Sequence, residues 1–312
     1  MSYCVRCLGR VPLKAETDHR WVVPERGNRA AMALAIWLAK RLGWRRLRVL
    51  LWPITFYFFL CHARARRASR IYLSRILRER AGNRQVMRHF HSFAQAVLDR
   101  LFFLMAPQTM PAVRCTGREV FLRAMERGQG CLLLGAHIGS FEALRSLGRD
   151  HAITLKMVMY RSNLGGATQV LEALDPSYQN TIIPIGQPDT MLRVAESLQQ
   201  GHVIGMLGDR SPATGRTVTV PFLGKAITLP EGPYRLALAT GAPILLVCAT
   251  RGTDGAYEVR FEPFDVPYPA SRKDRPQFIQ DAAERYAHWM QAECLKAPFC
   301  WFNFYDYWKD LS

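Results

Sequence analysis

The sequence predicts an α/β fold: a mixed central sheet flanked by helices, behind a helical N-terminal region of different character. Three observations carry that prediction. Beyond residue 115, short apolar runs alternate with stretches whose apolar residues recur at helical spacing. Hydrophobic residues make up 49% of the 312, enough for a sizeable core without covalent staples. The net charge of +17 sits at one end, because residues 1–110 hold 21 Lys and Arg against 5 Asp and Glu, and residues 111–312 hold 21 against 20. Three parts result: a flexible extension over 1–20, a basic, aromatic-rich helical region over 21–110, and an α/β domain over 111–312.

The extension carries Cys4 and Cys7, a single C-x-x-C with no second ligand pair nearby, so no metal site is expected there. The other cysteines are scattered. Cys131 and Cys248 fall inside apolar runs, as buried thiols do in a reducing compartment. Residues 28–42 suit a helix. Residues 49–61 then contain no charge and carry Trp52, Phe56, Tyr57, Phe58 and Phe59. Arg45, Arg46 and Arg48 precede this run, and Arg64, Arg66, Arg67 and Arg70 follow it. It is shorter than the ~20 apolar residues of a spanning helix and contains Pro53, so it is expected to lie in the interface of an anionic membrane. Nucleic acid is not an expected partner: the basic residues flank a greasy run, and no zinc-finger, RNA-recognition or basic-zipper signature accompanies them. Residues 1–20 are polar and charged and do not resemble a cleavable leader, so the catalytic part is expected on the cytoplasmic side. Residues 69–104 read as helical, with His89 and His91 expected at the surface or boundary because they point to different faces.

The α/β part follows in order. Helix is expected over 119–127, 141–147, 190–199, 233–240 (closed by Gly241) and 276–295. Strands are expected over 131–135, 153–159, 181–184, 202–207, 218–220, 244–249 and 257–261. The chain ends in an aromatic tail.

The candidate chemistry lies in Gly135-Ala136-His137-Ile138-Gly139-Ser140-Phe141-Glu142. His137 comes just past the carboxyl end of a buried strand, where α/β folds place functional groups. On one continuous helix, residues five apart would stand about 140° around the axis. With His137 in the turn and Glu142 in the first helical turn, the carboxylate reaches back to the imidazole, and Gly135 and Gly139 let the backbone fold tightly. A neutral His137 would take the proton from a hydroxyl or amine attacking a thioester, and Glu142 would fix its tautomer. Backbone N–H groups near Gly139 and Ser140 would face the developing oxyanion. The spacing alone also fits a core histidine and a helix N-terminal charge. Ser140 lacks a nucleophile elbow, Gly224-Lys225 lacks the rest of a phosphate loop, and no metal-ligand spacing occurs, so neither cofactor nor metal is expected.

This segment resembles the H-x4-E signature of the bacterial lipid A biosynthesis (lauroyl/myristoyl) acyltransferase family, relatives of the H-x4-D glycerolipid acyltransferases. Further blocks match in order: Met159-Tyr160-Arg161, Gly208-Asp209-Arg210, 218–224 with Phe222 and Gly224, and Gly241-Ala242-Pro243-Ile244. The resemblance covers about residues 21–308 and implies a glycerolipid-acyltransferase-like fold. It also implies that Arg161 contacts a phosphate or the acyl donor, that Asp209 is functional, and that Arg210, Phe222 and Gly224 border the substrate. The chain departs from the family at two places. The usual further arginine is missing between Arg161 and Arg193, and the C-terminal Trp-x-His-Arg is Trp301-Phe302-Asn303-Phe304. With those cations missing, the sequence is closer in look to the acyltransferases of aryl-polyene and xanthomonadin-type lipids.

The expected function is transfer of an acyl chain from an acyl carrier protein or acyl-CoA to a lipid, glycolipid or polyene-lipid acceptor. It would take place at the cytoplasmic face of the bacterial inner membrane. The alternative is a catalytically inactive membrane-bound adaptor of the same fold that binds a carrier protein or lipid.

Overall fold

The structure, a computed structural model, describes residues 29–126, 128–151, 153–160, 176–211 and 215–308. Cys4, Cys7 and Arg161 lie outside these described residues, as does the stretch 1–20 that the sequence marks as an extension.

Three helices come first: α1 (Arg29–Cys61), α2 (Ala63–Ile76) and α3 (Asn83–Met105). The α/β part follows as β1 (Val113–Thr116), α4 (Arg118–Met125), β2 (Leu132–Gly135), α5 (Phe141–Asp150), β3 (Leu155–Tyr160), β4 (Ile182–Ile185), α6 (Thr190–Gln199) and β5 (Val203–Leu207). It ends with β6 (Thr217–Phe222), β7 (Lys225–Pro230), α7 (Gly232–Thr240), β8 (Ile244–Arg251), β9 (Tyr257–Pro263) and α8 (Arg275–Lys296). Seven strands form one sheet in the order β1-β9-β8-β2-β5-β3-β4. Every pairing is parallel except β8 with β9, so the sheet is mixed.

Successive side chains of a strand point to opposite faces, and this builds two core layers. Leu132, Leu134, Ile244 and Leu246 face Phe278, Ala282 and Tyr286 of α8. Cys131, Leu133, Leu245 and Val247 face Phe121 of α4 and Ala143 and Leu144 of α5. β2 is therefore buried on both faces, which is why it reads as a continuous apolar run. β6 and β7 form a separate hairpin whose alternate residues Val218, Val220 and Phe222 turn into the first layer.

Two strands escape the sequence pattern. β1 is a short edge strand containing Arg114, and β7 begins at Lys225 and ends at Pro230. The stretch 69–104 is also not one helix: it breaks over residues 77–82, and Gly82 stands at the N-terminus of α3.

α1 is two helical halves joined at Gly43, whose φ of 72° and ψ of 167° interrupt the helix. Its second half packs along α3, with Leu47 against Phe102. Asp99 of α3 is fully buried. It accepts from Trp44 Nε1–H (2.6 Å) and from the Tyr257 hydroxyl (2.7 Å), so the N-terminal helices are pinned to β9. His89 and His91, expected at the surface or boundary, are both buried: α3 is covered by α1 on one side and by the C-terminal aromatics on another. Among the described residues, no helix is long and apolar enough to cross a membrane. The run over 49–61 is helical, and Val49, Trp52, Phe56, Tyr57 and Leu60 stand exposed, as do Phe93 and Val97 of α3.

Candidate active site

Strand order brings the site together. β2 and β5 are parallel neighbours with Gly135 opposite Leu207. Two residues beyond each strand lie His137 and Asp209, which therefore emerge side by side at the carboxyl edge of the sheet. His137 Nδ1–H donates to Asp209 Oδ1 at 2.7 Å, and the His137 backbone N–H donates to Asp209 Oδ2 at 3.1 Å. Because a carboxylate only accepts, Nδ1 carries the ring proton and Nε2 is left basic.

The expectation that Glu142 holds the imidazole is corrected here: the carboxylate on Nδ1 is Asp209. Glu142 lies in the first turn of α5, 4% exposed, and its charge is taken up elsewhere. Arg100 Nε donates to its Oε1 at 3.3 Å, and Arg145 lies 3.6 Å from its Oε2. Arg100 also donates to the Tyr178 hydroxyl at 2.8 Å, and the Arg145 guanidinium lies over the Tyr178 ring.

The turn after His137 is also committed differently from expectation. Gly139 N–H donates to the Cys300 carbonyl (2.9 Å), and Ser140 N–H donates to the Ala249 carbonyl (2.8 Å). Neither is free for an oxyanion, and Ser140 is buried. Gly139 has φ of 73°, and a Cβ there would sit 1.9 Å from the Ala249 carbonyl oxygen, so only glycine lets this turn lie against β8.

The remaining expected site residues divide by position. Arg210 does not point at a free surface: its Nε donates to Asn303 Oδ1 (2.8 Å) and its Nη2 to the Phe302 carbonyl (3.0 Å). Phe222 is buried against Trp301 and Trp308 and is a core residue. Gly224 closes the β6–β7 hairpin. With Leu223 at φ 49° and Gly224 at φ 79°, the two-residue turn has the double positive φ that matches strand twist.

The aromatic tail was not among the expected site residues, yet residues 300–308 wrap the pair. Trp301 Nε1–H (2.9 Å) and Asn303 Nδ2–H (3.0 Å) both donate to Asp209 Oδ2, and the Tyr307 hydroxyl donates to the Asp209 backbone carbonyl. Phe302 N–H donates to the His137 carbonyl at 2.8 Å. Two sequence signals mark this segment: the density of aromatic residues over 299–308, and Trp301-Phe302-Asn303-Phe304 standing where the resembled family has Trp-x-His-Arg.

These contacts set the charges. Burial alone would raise the Asp209 pKa, but the His137 partner, Arg210 and the Trp301 hydrogen bond outweigh it and hold the carboxyl well below the usual range. Burial, then Arg210, lowers the His137 pKa; Asp209 opposes them without reversing the result. The outcome is a neutral imidazole at neutral pH, its side chain 26% exposed, backed by a permanent carboxylate. That arrangement accepts a proton at Nε2 and stabilises the imidazolium that results.

No curated protein matches the chain. The match that does appear is to the family described as bacterial lipid A biosynthesis acyltransferase, and it runs over residues 16–310, nearly the whole sequence. With a buried strand end presenting a carboxylate-backed histidine inside that match, the chain belongs to the bacterial lipid A biosynthesis acyltransferase family.

Proposed function

We propose that the protein transfers an acyl chain from a thioester, on acyl carrier protein or coenzyme A, to a hydroxyl or amine of a lipid-like acceptor, with His137 as the general base. The observation that carries this reading is the 2.7 Å contact between His137 Nδ1 and Asp209 Oδ1. Nε2 takes the proton as the acceptor heteroatom attacks the thioester carbonyl. The tetrahedral intermediate collapses by breaking the carbon–sulfur bond, and the imidazolium returns its proton to the departing thiolate, leaving His137 neutral again. The products are an ester or amide and a free thiol, and no acyl group is ever bound to the enzyme.

Glu142 enters this reading through Arg100 and Arg145, which it orients. Arg161 remains the proposed contact to a donor or acceptor phosphate. The cations missing between Arg161 and Arg193 and at 303–304 favour an acceptor with fewer phosphates than lipid A, such as a pigment-type polyene lipid. The test uses membranes and labelled acyl donor. His137→Ala is expected to lose about 10³-fold in transfer, within the range for a general base, and unchanged transfer would exclude the mechanism.

The exposed Val49, Trp52, Phe56, Tyr57 and Leu60 of α1, followed by Arg64, Arg66, Arg67 and Arg70, support attachment to an anionic, cytoplasmic membrane face. Sedimentation with phosphatidylglycerol vesicles is expected for the wild type and lost in Trp52→Glu/Phe56→Glu. Equal sedimentation of both proteins would move the membrane contact elsewhere on the molecule.

A further inference from the structure

We propose that Trp301 and Asn303 are positioning residues for the acyl transfer, setting both the geometry and the basicity of the His137–Asp209 pair. This rests on the reading of His137 as general base.

The argument is one of hydrogen-bond capacity. Asp209 is fully buried, so each of its oxygens needs protein donors. Three donors converge on Oδ2: the His137 backbone N–H, Trp301 Nε1–H and Asn303 Nδ2–H, at 3.1, 2.9 and 3.0 Å. Oδ1 is thereby reserved for His137 Nδ1–H. With three donors drawing charge to Oδ2, the carboxylate stays ionised and does not pull the ring proton off Nδ1. The tautomer that leaves Nε2 basic is therefore set by residues more than 90 positions away along the chain.

The donors are themselves held. Trp301 is completely buried against Tyr72, Phe222 and Tyr307. Its carbonyl accepts from His89 Nε2–H at 2.8 Å, and the other ring nitrogen of His89 accepts from the Ser69 hydroxyl at 2.8 Å. A fully buried histidine anchored on α2 thus fixes the backbone that carries the indole. Asn303 has its amide orientation dictated, since Arg210 donates to its Oδ1 and only Nδ2 is left for Asp209. These contacts commit both side chains to one geometry at one carboxylate.

The charged groups acting on the imidazole are Asp209 and Arg210. Removing a donor from Oδ2 makes Oδ1 more basic, strengthens its hold on the imidazolium and raises the His137 pKa. The acid limb of the kcat/KM pH profile then moves to higher pH.

The experiment compares Trp301→Phe and Asn303→Leu with wild type, after circular dichroism establishes the fold. A folded variant is expected to lose about tenfold or more in kcat, the size of one lost hydrogen bond to a charged group. KM should stay within about twofold and the acid limb should rise. Loss of packing alone would lower stability without moving that limb. If Trp301→Phe does not fold, Asn303→Leu carries the decision, with ring-¹⁵N titration of His137 as a readout independent of turnover. A folded variant with wild-type kcat and an unmoved His137 titration overturns the assignment. Wild-type activity in His137→Ala is a different result and overturns the base reading itself.

Discussion

Asp209 and Glu142 are two buried carboxylates at the same edge of the sheet, and they serve different partners. Asp209 follows β5 and meets an imidazole, an indole and an amide. Glu142 begins α5 and meets two guanidinium groups. One sits five residues from His137 in the chain, the other seventy-two, and the distant one makes the contact. Neighbourhood in a parallel sheet is decided by strand order and register, and chain separation has little bearing on it. A short H-x4-E spacing marks the site without identifying the residue on the imidazole.

The comparison is most sharply broken by exchanging charge for neutral isosteres at each carboxylate. Asp209→Asn is expected to cost roughly 10² to 10³-fold in kcat, because an amide can present its N–H to Nδ1 and drive the ring proton onto Nε2. The sign of the pH effect follows from the causes at His137. Asp209 raises that pKa, so its neutralisation moves the acid limb to lower pH, opposite to the shift expected on losing a donor to Oδ2. Glu142→Gln is expected to leave the limb in place. Steady-state profiles of both variants decide the matter, and a limb displaced only in Glu142→Gln would reverse the two roles.

A second effect concerns stability. Arg145 is 6% exposed at its side chain and Glu142 4%. Removing the carboxylate leaves buried cationic charge with less compensation, and Glu142→Ala is expected to destabilise by about 3 kcal/mol. Arg100→Met should recover part of this in the double variant, since the two residues form one network and their effects are not additive. Urea unfolding of the four proteins checks it. Strict additivity would mean that the 3.3 Å contact between Arg100 and Glu142 contributes nothing.

Much of this was legible in the sequence, for identifiable reasons. The strand ends before His137 and Asp209 were visible because β2 and β5 are buried on both faces and leave continuous apolar runs. Their pairing was not, because β8 and β5 flank β2 and nothing local records which strands will be neighbours. The spacing marks Gly139 as a tight-turn residue and the turn is there, but its N–H goes to the Cys300 carbonyl and not to an oxyanion. The likeness of its block to a pocket-forming stretch puts Phe222 at the substrate, whereas the alternation of β6 turns it inward. His89 is buried against expectation for a related reason: helical spacing gives the face of a residue but not what covers that face.

The smallest expected effect extends the Asp209 side to its outer support. His89 is fully buried, and burial lowers its pKa to about 4, partly opposed by its bond to the Trp301 carbonyl. A histidine depressed in the folded state contributes its full stabilisation above the unfolded value of about 6.5 and loses it as pH falls toward 4. That window corresponds to about 3 kcal/mol for this one group, an upper figure because the fold relaxes as the ring is charged. His137 and His91 are shifted in the same direction and add to the slope, so the informative quantity is a difference. In urea unfolding between pH 4 and 7, His89→Gln should lose stability less steeply than wild type and converge toward it at the acid end. Parallel curves would mean that acid acts elsewhere and that the support behind Trp301 does not depend on a neutral His89.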